Sequence, residues 1–384
     1  MSKPTSSSGT GSTPQTQAIN IISGGIGNYP IKLELVPKRL VVSIYQQDLL
    51  GRGSHIPCWI FVTQGMQAFK QKEFVLAMRI EDPDDFKKFP KPPLQLFMHL
   101  FKNIVEKKRF QIGAVTPLGE KGLMGFAGIG YTHNLISSKD LPLPPSYLSC
   151  VFLTKEELVA ARTMGLTRVL ARMGFEQNRF PVNPWNEMKR SGLPMQAVIK
   201  HSEFKGIPIV NLDYTSVNLV NGDTVTLILA PVMQAQIARF LKENGDPRQF
   251  GFITQLYPYH EGALTWLPHK EQVEMNVHPD SDGELIAGGF VLFRRDEHCG
   301  ASMLEDGFCV KLDNEGWLNF RNSLASKQNT LITGKGGDMP FQVVWNLSRN
   351  PETSSGLSQS LSDAEEFDFP QKGLLSKIKG LFKR

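Results

Sequence analysis

Four cysteines in 384 residues, Cys58, Cys150, Cys299 and Cys309, are too few and too scattered to staple a fold. Each stands beside apolar residues or in a predicted strand or turn, so reduced and mostly buried thiols are expected. No run of about 18 apolar residues occurs, and no spanning helix is expected. The opening MSKPTSSSGTGSTPQTQ has no apolar segment of signal-peptide type, which points to a cytoplasmic protein. Charge of one sign is also scarce: 42 Lys and Arg against 37 Asp and Glu leave a formal +5. So small and mixed a surplus does not suggest nucleic-acid binding.

What is present is ordinary globular material, 41% apolar and 21% charged, in a chain long enough for two cores. Residues 1–18 are Ser, Thr, Gly, Pro and Gln with little to bury, and read as a disordered arm. A body follows in two parts, 19–195 and 200–347, then a flexible linker over 348–369 and a terminal segment over 370–384. In the first part, Leu40–Tyr45, Trp59–Thr63 and Glu73–Ile80 are rich in β-branched and aromatic residues and read as strands. Leu94–Lys107 carries apolar residues at helical spacing behind Pro92 and Pro93. Strands over Met124–Tyr131 and Ser146–Leu153 precede a helix over 154–174, which Thr154 and Glu157 open as a capping box. In the second part, Val225–Leu229, Ile286–Arg294, Phe308–Leu312 and Phe341–Leu347 read as strands, and Val232–Glu243 and Trp317–Ala325 as helices. The pattern predicts an α+β fold of two domains, with mixed or antiparallel sheets and packed helices.

The stretch HIPCWIFVTQGMQAFKQKEFVLAMRI, His55–Ile80, resembles the start of the suppressor-of-fused domain. The match lies in Trp59, Thr63, Gly65, Met66 and the strand EFVLAMRI. PPLQLFMHLFKNIV is similar to that family's Pro-Pro-started helix, and Thr116, Pro117 and Gly119 to its TPxG turn before a strand. LTKEELVAARTMGLTRVLARMG resembles its late helix, so the likeness covers about residues 40–193, in the manner of a bacterial-type member. It implies non-enzymatic binding of another protein or an extended peptide. Animal members clamp an extended peptide of a transcription factor, and bacterial relatives look like immunity proteins. The matched positions are framework, so no partner-contacting residue is implied.

Candidate chemistry is sparse. His260, His269 and His278 recur every nine residues with Glu261, Glu271 and Glu274 between them, a spacing that fits no established metal pattern. A metal-dependent hydrolase using His260–His278 is the enzymatic alternative. Glu297, His298 and Cys299, with Cys309, read as turn and core residues. The Gly-rich ITGKGGDM, Ile332–Met339, lacks the GxxxxGK[ST] spacing and reads as a hairpin turn. Gly24 and Gly128 lie in glycine clusters without the strand-to-helix setting of a dinucleotide fingerprint. No cofactor is expected. Lys107, Lys108 and Arg109 read as a solvated helix end.

The last segment, QKGLLSKIKGLFKR, is the most legible. Leu374, Leu375, Ile378, Leu381 and Phe382 share one helical face, and Lys377, Lys379, Lys383 and Arg384 take the flanks and the opposite side. Burying an apolar side chain is worth about 1.5–3 kcal/mol, and each basic residue near anionic lipid about 1 kcal/mol. Ordering each residue costs about 1–2 kcal/mol. The expectation is a reversible helix that docks on an anionic membrane surface. A groove on a protein complex, as in a scaffold or cargo protein, is the other reading. The acidic and aromatic Asp363–Phe369 just ahead is a candidate shield for its basic face.

Overall fold

The computed structural model describes residues 20–23, 30–50, 54–82, 88–119, 122–136, 140–196, 206–257, 260–265, 273–277 and 283–346. The expected arm, linker and terminal helix lie outside these residues, as do His269, Glu271 and His278.

Residues up to 176 form β1 (Asn20–Ser23), β2 (Ile31–Val36), β3 (Leu40–Leu50), β4 (His55–Gln64), β5 (Phe74–Arg79), α1 (Pro92–Val105), β6 (Val115–Pro117), β7 (Gly128–His133), β8 (Leu148–Leu153), α2 (Lys155–Met164) and α3 (Leu166–Glu176). The strands make one eight-stranded sheet in the order β1-β2-β3-β4-β5-β8-β7-β6, mixed because β5 and β8 run parallel. Both faces of its centre are covered, which explains why LSCVFL of β8 is buried at every position. Leu148, Cys150 and Phe152 enter the core that holds α1, whereas Val151 and Leu153 pack with α2 and α3. On β4, Trp59 and Phe61 join the α1 core and Cys58, Ile60 and Val62 a smaller one behind it.

The capping box forms as the spacing predicts, with Glu157 accepting from the Thr154 N–H at 2.9 Å. The single helix expected over 154–174 is two helices. Gly165 stands between them at φ +94°, in the left-handed region, and a Cβ there would lie 2.7 Å from the Ile253 side chain. The break admits a residue from the other half of the chain, contact information that helical periodicity does not carry.

The second part contains β9 (Ile209–Asn211), β10 (Ser216–Val220), β11 (Thr224–Leu229), α4 (Gln234–Glu243), β12 (Gln249–Ile253), β13 (Gly262–Thr265), β14 (Glu274–Val277), β15 (Leu285–Gly288), β16 (Phe290–Arg295), β17 (Gly300–Leu304), β18 (Gly307–Leu312), α5 (Asn314–Ser326), β19 (Thr330–Ile332) and β20 (Phe341–Trp345). These strands build two sheets, β14-β13-β15-β10-β11-β20-β19 and β17-β18-β16-β12-β9. Their shared core is aromatic, with Phe250 stacked on Phe293 at 4.9 Å and Phe308, Phe320 and Phe341 fully buried. The strand expected over Ile286–Arg294 divides at Gly289, so that β15 serves one sheet and β16 the other. Phe308 presses so closely on Gly288 that a Cβ would sit 2.7 Å from its ring. The crossing therefore needs glycine. The ITGKGGDM segment is the connection between antiparallel β19 and β20, as expected.

Candidate partner-binding site

The framework residues do structural work. Glu73 is buried beneath the turn after β4, where it accepts from Thr63 Oγ1 at 2.7 Å, Gly65 N at 2.9 Å and Gln67 N at 3.1 Å. Burial pushes its carboxyl up, and these bonds oppose that shift. Gly65 is obligatory at φ +117°, because a Cβ would lie 2.0 Å from the Arg39 carbonyl. Met66 is fully buried behind it. Thr116 Oγ1 accepts from the buried Tyr131 hydroxyl at 2.9 Å, Pro117 ends β6, and Gly119 takes φ +78° in the turn that follows. Trp59 borders a cleft. With Met78, Ile80 and Met188 it floors a cavity of about 280 Å³ rimmed by Arg79, Glu81, Asp82, Lys88 and Lys189. Two of those cations already have partners, Glu187 at 3.1 Å for Arg79 and Glu81 at 3.5 Å for Lys189.

The two parts meet along α3. Arg168 is buried and binds Asp306 through Nε at 2.8 and 2.9 Å, and its Nη2 contacts Glu305. Its guanidinium also lies over the Phe290 ring at 4.6 Å. Burial alone would lower its pKa, but Asp306 and Glu305 hold it above the ordinary value. A second contact joins Lys72 Nζ to Tyr214 Oη at 3.2 Å, next to Asp213, whose carboxyl burial pushes up to about 6 against the pull of Lys72. A third sets the His133 ring against Tyr257 at 4.4 Å, tilted by 40°, and Tyr257 N donates to His260 Nδ1 at 3.1 Å. Burial drives the His260 imidazole down to about 3, so it is neutral at ordinary pH.

None of this assembles catalytic machinery among the described residues. No group of three His, Cys, Asp or Glu side chains there converges as a metal site. The four thiols are free and buried; burial pushes Cys58 up to about 12 and raises the Cys150 and Cys299 thiols as well, the opposite of an activated nucleophile. A polar depression of about 660 Å³ near Arg248, Arg295 and Asn314 also contains Asp246, Asp296 and Glu297. There Arg295 is tied to Asn314 at 2.9 Å and lies over Trp317.

The feature best suited to a partner is an edge. β14 is the outermost strand of the seven-stranded sheet and pairs only with β13 among the described strands. Opposite Leu264 and Gly262, Met275 and Val277 continue the apolar face that holds Leu264 and Ile286, yet they are 51% and 38% exposed. The other face turns toward α3, where Ala171 packs with Ala263 and Ala287, and Asn276 Nδ2 donates to the Arg179 carbonyl at 3.1 Å. Arg172 and Arg179 stand at this end of α3. Arg172 binds Glu176 at 2.6 Å through Nη2, while its buried Nη1 has no hydrogen-bond partner among the described residues. Burial lowers the pKa of both arginines. The alternation VEMNV, 273–277, is the only local signal for β14 in the sequence, and it predicts no strand by itself.

No family model matches the chain. Over 129 residues it is 30% identical to human zinc finger FYVE domain-containing protein 9, covering 32% of this chain and 9% of that protein. The chain thus spans less than a tenth of that relative, and it contains no Cys-x-x-Cys pair of zinc-finger type. Its structure is similar to the crystal structure of Drosophila Suppressor of Fused, with a TM-score of 0.36 and 10% identity over 83% of this chain and 93% of that one. It is also similar to a chain of the Sufu–Fu complex, with a TM-score of 0.32 and 12% identity over 41% and 78%. Likenesses at this level assign no family.

Proposed function

We propose that the protein is a non-enzymatic binding protein that sequesters an extended segment of another protein along β14. The open edge carries this assignment: Met275 and Val277 are exposed on a strand whose outer side has no described strand beside it. A peptide laid there would gain main-chain hydrogen bonds from the edge and specificity from alternate side chains. The cleft beside Trp59 is less suitable, because its rim cations are partly neutralised. Peptides selected from a random display library on the full-length protein are expected to lose about tenfold or more in affinity for the Met275→Lys/Val277→Lys double variant. Equal affinity for both proteins, or failure to select any peptide, would falsify edge capture.

The terminal stripe from Leu374 to Phe382 supports a second element, a reversible tether to an anionic membrane surface. The full chain is expected to sediment with anionic but not neutral vesicles, less so at high salt, and Leu375→Asp should abolish this. Sedimentation unchanged by Leu375→Asp would remove the tether.

A further inference from the structure

The cations of the first part are not spread evenly along its sheet. At the end of β5 that carries Arg79 they are mixed with acids, and Glu187 and Glu81 already bind Arg79 and Lys189. The opposite end is different. There the β2–β3 turn brings Lys38, the β4–β5 connection Lys70, and the turn after α1 Lys107, Lys108 and Arg109, all exposed. Contacts between these segments fix them side by side. Gly65 lies against the Arg39 carbonyl, and the Phe69 ring meets Phe101 of α1 edge-on at 5.3 Å. Gln71 clasps Phe110, donating from Nε2 to its carbonyl at 3.0 Å and accepting its N–H at 2.9 Å. The helix dipole accounts for cations after α1, but Lys38 and Lys70 stand on strand connections and have no such cause.

Few acids answer this charge. Glu73 is buried under the β4–β5 turn with its bonds made, Glu34 accepts from the Lys38 N–H at 2.6 Å, and Glu106 ends α1. Asp140 precedes Leu141, which packs on the face of the sheet away from α1. Lys72 is engaged by Tyr214 and Asp213 and stands outside the patch. Lys70, Lys107, Lys108 and Arg109 bind no carboxylate among the described residues. The local field reaches His99 on α1: desolvation lowers its imidazole, and Lys102 and Lys108 push it the same way against Glu106.

Two features select the partner. None of the exposed large apolar side chains among the described residues lies on these turns, so a polypeptide would find no anchor to bury there. The charge is mostly lysine, a flexible and hydrated point charge, and Arg109 Nη1 already donates to the Ile104 and Lys108 carbonyls. Such a patch suits diffuse attraction to a broad surface better than bidentate recognition of one carboxylate. We propose that this end of the first sheet, through Lys38, Lys70, Lys107, Lys108 and Arg109, lies against an anionic membrane surface. The assignment rests on the tether reading above and adds the face by which the folded body meets lipid. One reversible anchor holds weakly, and a basic patch is the kind of second signal that makes attachment stable.

Vesicle sedimentation of the full chain tests it, with phosphatidylserine–phosphatidylcholine vesicles against pure phosphatidylcholine. Each basic residue near anionic lipid strengthens binding about fivefold, so Lys70→Gln/Lys107→Gln/Lys108→Gln should weaken it about tenfold or more. Lys155→Gln/Lys242→Gln/Lys327→Gln, which removes the same charge from other surfaces, should bind as the wild type does. Equal losses in the two triple variants would show an effect of net charge alone and overturn the proposal. If Leu375→Asp abolishes sedimentation while the patch variant binds like the wild type, the patch falls and the tether stands. If the patch variant loses binding while Leu375→Asp keeps it, the tether falls and the patch stands. Poly-glutamate that binds the wild type and not the patch variant, with vesicle binding equal for both, assigns the patch to an acidic polypeptide and overturns the membrane reading.

Discussion

Two arginines, the partly buried Arg190 and the buried Arg168, are neutralised in different ways. Arg190 donates to both oxygens of Glu157 at 2.6 Å and to the Phe152 carbonyl at 2.8 Å. Glu157 is the capping residue of α2, so the pair reinforces a helix start that is local in sequence. Arg168 reaches 137 and 138 positions along the chain to Glu305 and Asp306, in the turn between β17 and β18. Taken locally, Leu-Glu-Asp-Gly is a polar turn suited to solvent. Here α3 covers it, and both acids are almost wholly buried. The first clamp fastens a helix to its own sheet; the second fastens two parts of the molecule together. A buried ion pair contributes little net stability when intact but costs a great deal when one member is removed.

The largest expected effect is at the long-range clamp. Arg168→Met should destabilise by about 3–5 kcal/mol in urea unfolding, because two buried carboxylates lose the guanidinium that binds them. Adding Glu305→Gln and Asp306→Asn should recover much of that loss. Glu157→Ala should cost less, about 2 kcal/mol, from the lost cap and an arginine that keeps some access to water. If Glu157→Ala proves the more damaging, the local clamp dominates and the ranking is reversed.

The smallest effect concerns Asp213, in the weaker contact between the two parts. Its folded pKa of about 6 exceeds the ordinary 3.8, so its contribution is fully present below about pH 4 and is lost as the pH rises through about 6. Asp213→Asn should therefore raise stability above pH 6 by about 1–2 kcal/mol, a figure reduced for partial exposure, and flatten the slope between about pH 4 and pH 6. His260 acts in the opposite sense: with its pKa lowered from 6.5 to about 3, its contribution is present above 6.5 and lost as the pH falls toward 3. A difference profile of wild type against Asp213→Asn isolates the carboxylate. No change in slope between pH 4 and 6 would show that Asp213 is solvated.

Much of the fold was legible where a signal is local. The capping box at Thr154, the Pro-started α1, and the apolar runs of β4, β5 and β8 all occur as expected, because capping groups, φ restriction and strand burial act within a few residues. The buried thiols were also foreseen. Helix and strand lengths failed at Gly165 and Gly289, where the reason for a break is an atom from a distant segment, Ile253 in one case and the Phe308 ring, against neighbouring Gly288, in the other. The candidate site was the least legible part. β14 is four residues long, too short for periodicity to stand out, and an edge becomes an edge only when the sheet order is known.

The sequence by itself determined the α+β composition, the local caps and turns, the reduced state of the thiols, and an amphipathic stripe with an acidic, aromatic stretch ahead of it. These follow from residue chemistry over short spans. Only the tertiary structure decided that Thr63, Gly65 and Met66 serve a buried Glu73, that a polar turn becomes the anchor for Arg168, and that Met275 and Val277 emerge on the outermost described strand of their sheet. Each depends on groups far apart in the chain being brought within a few ångströms, where desolvation and van der Waals exclusion act and sequence spacing carries no information.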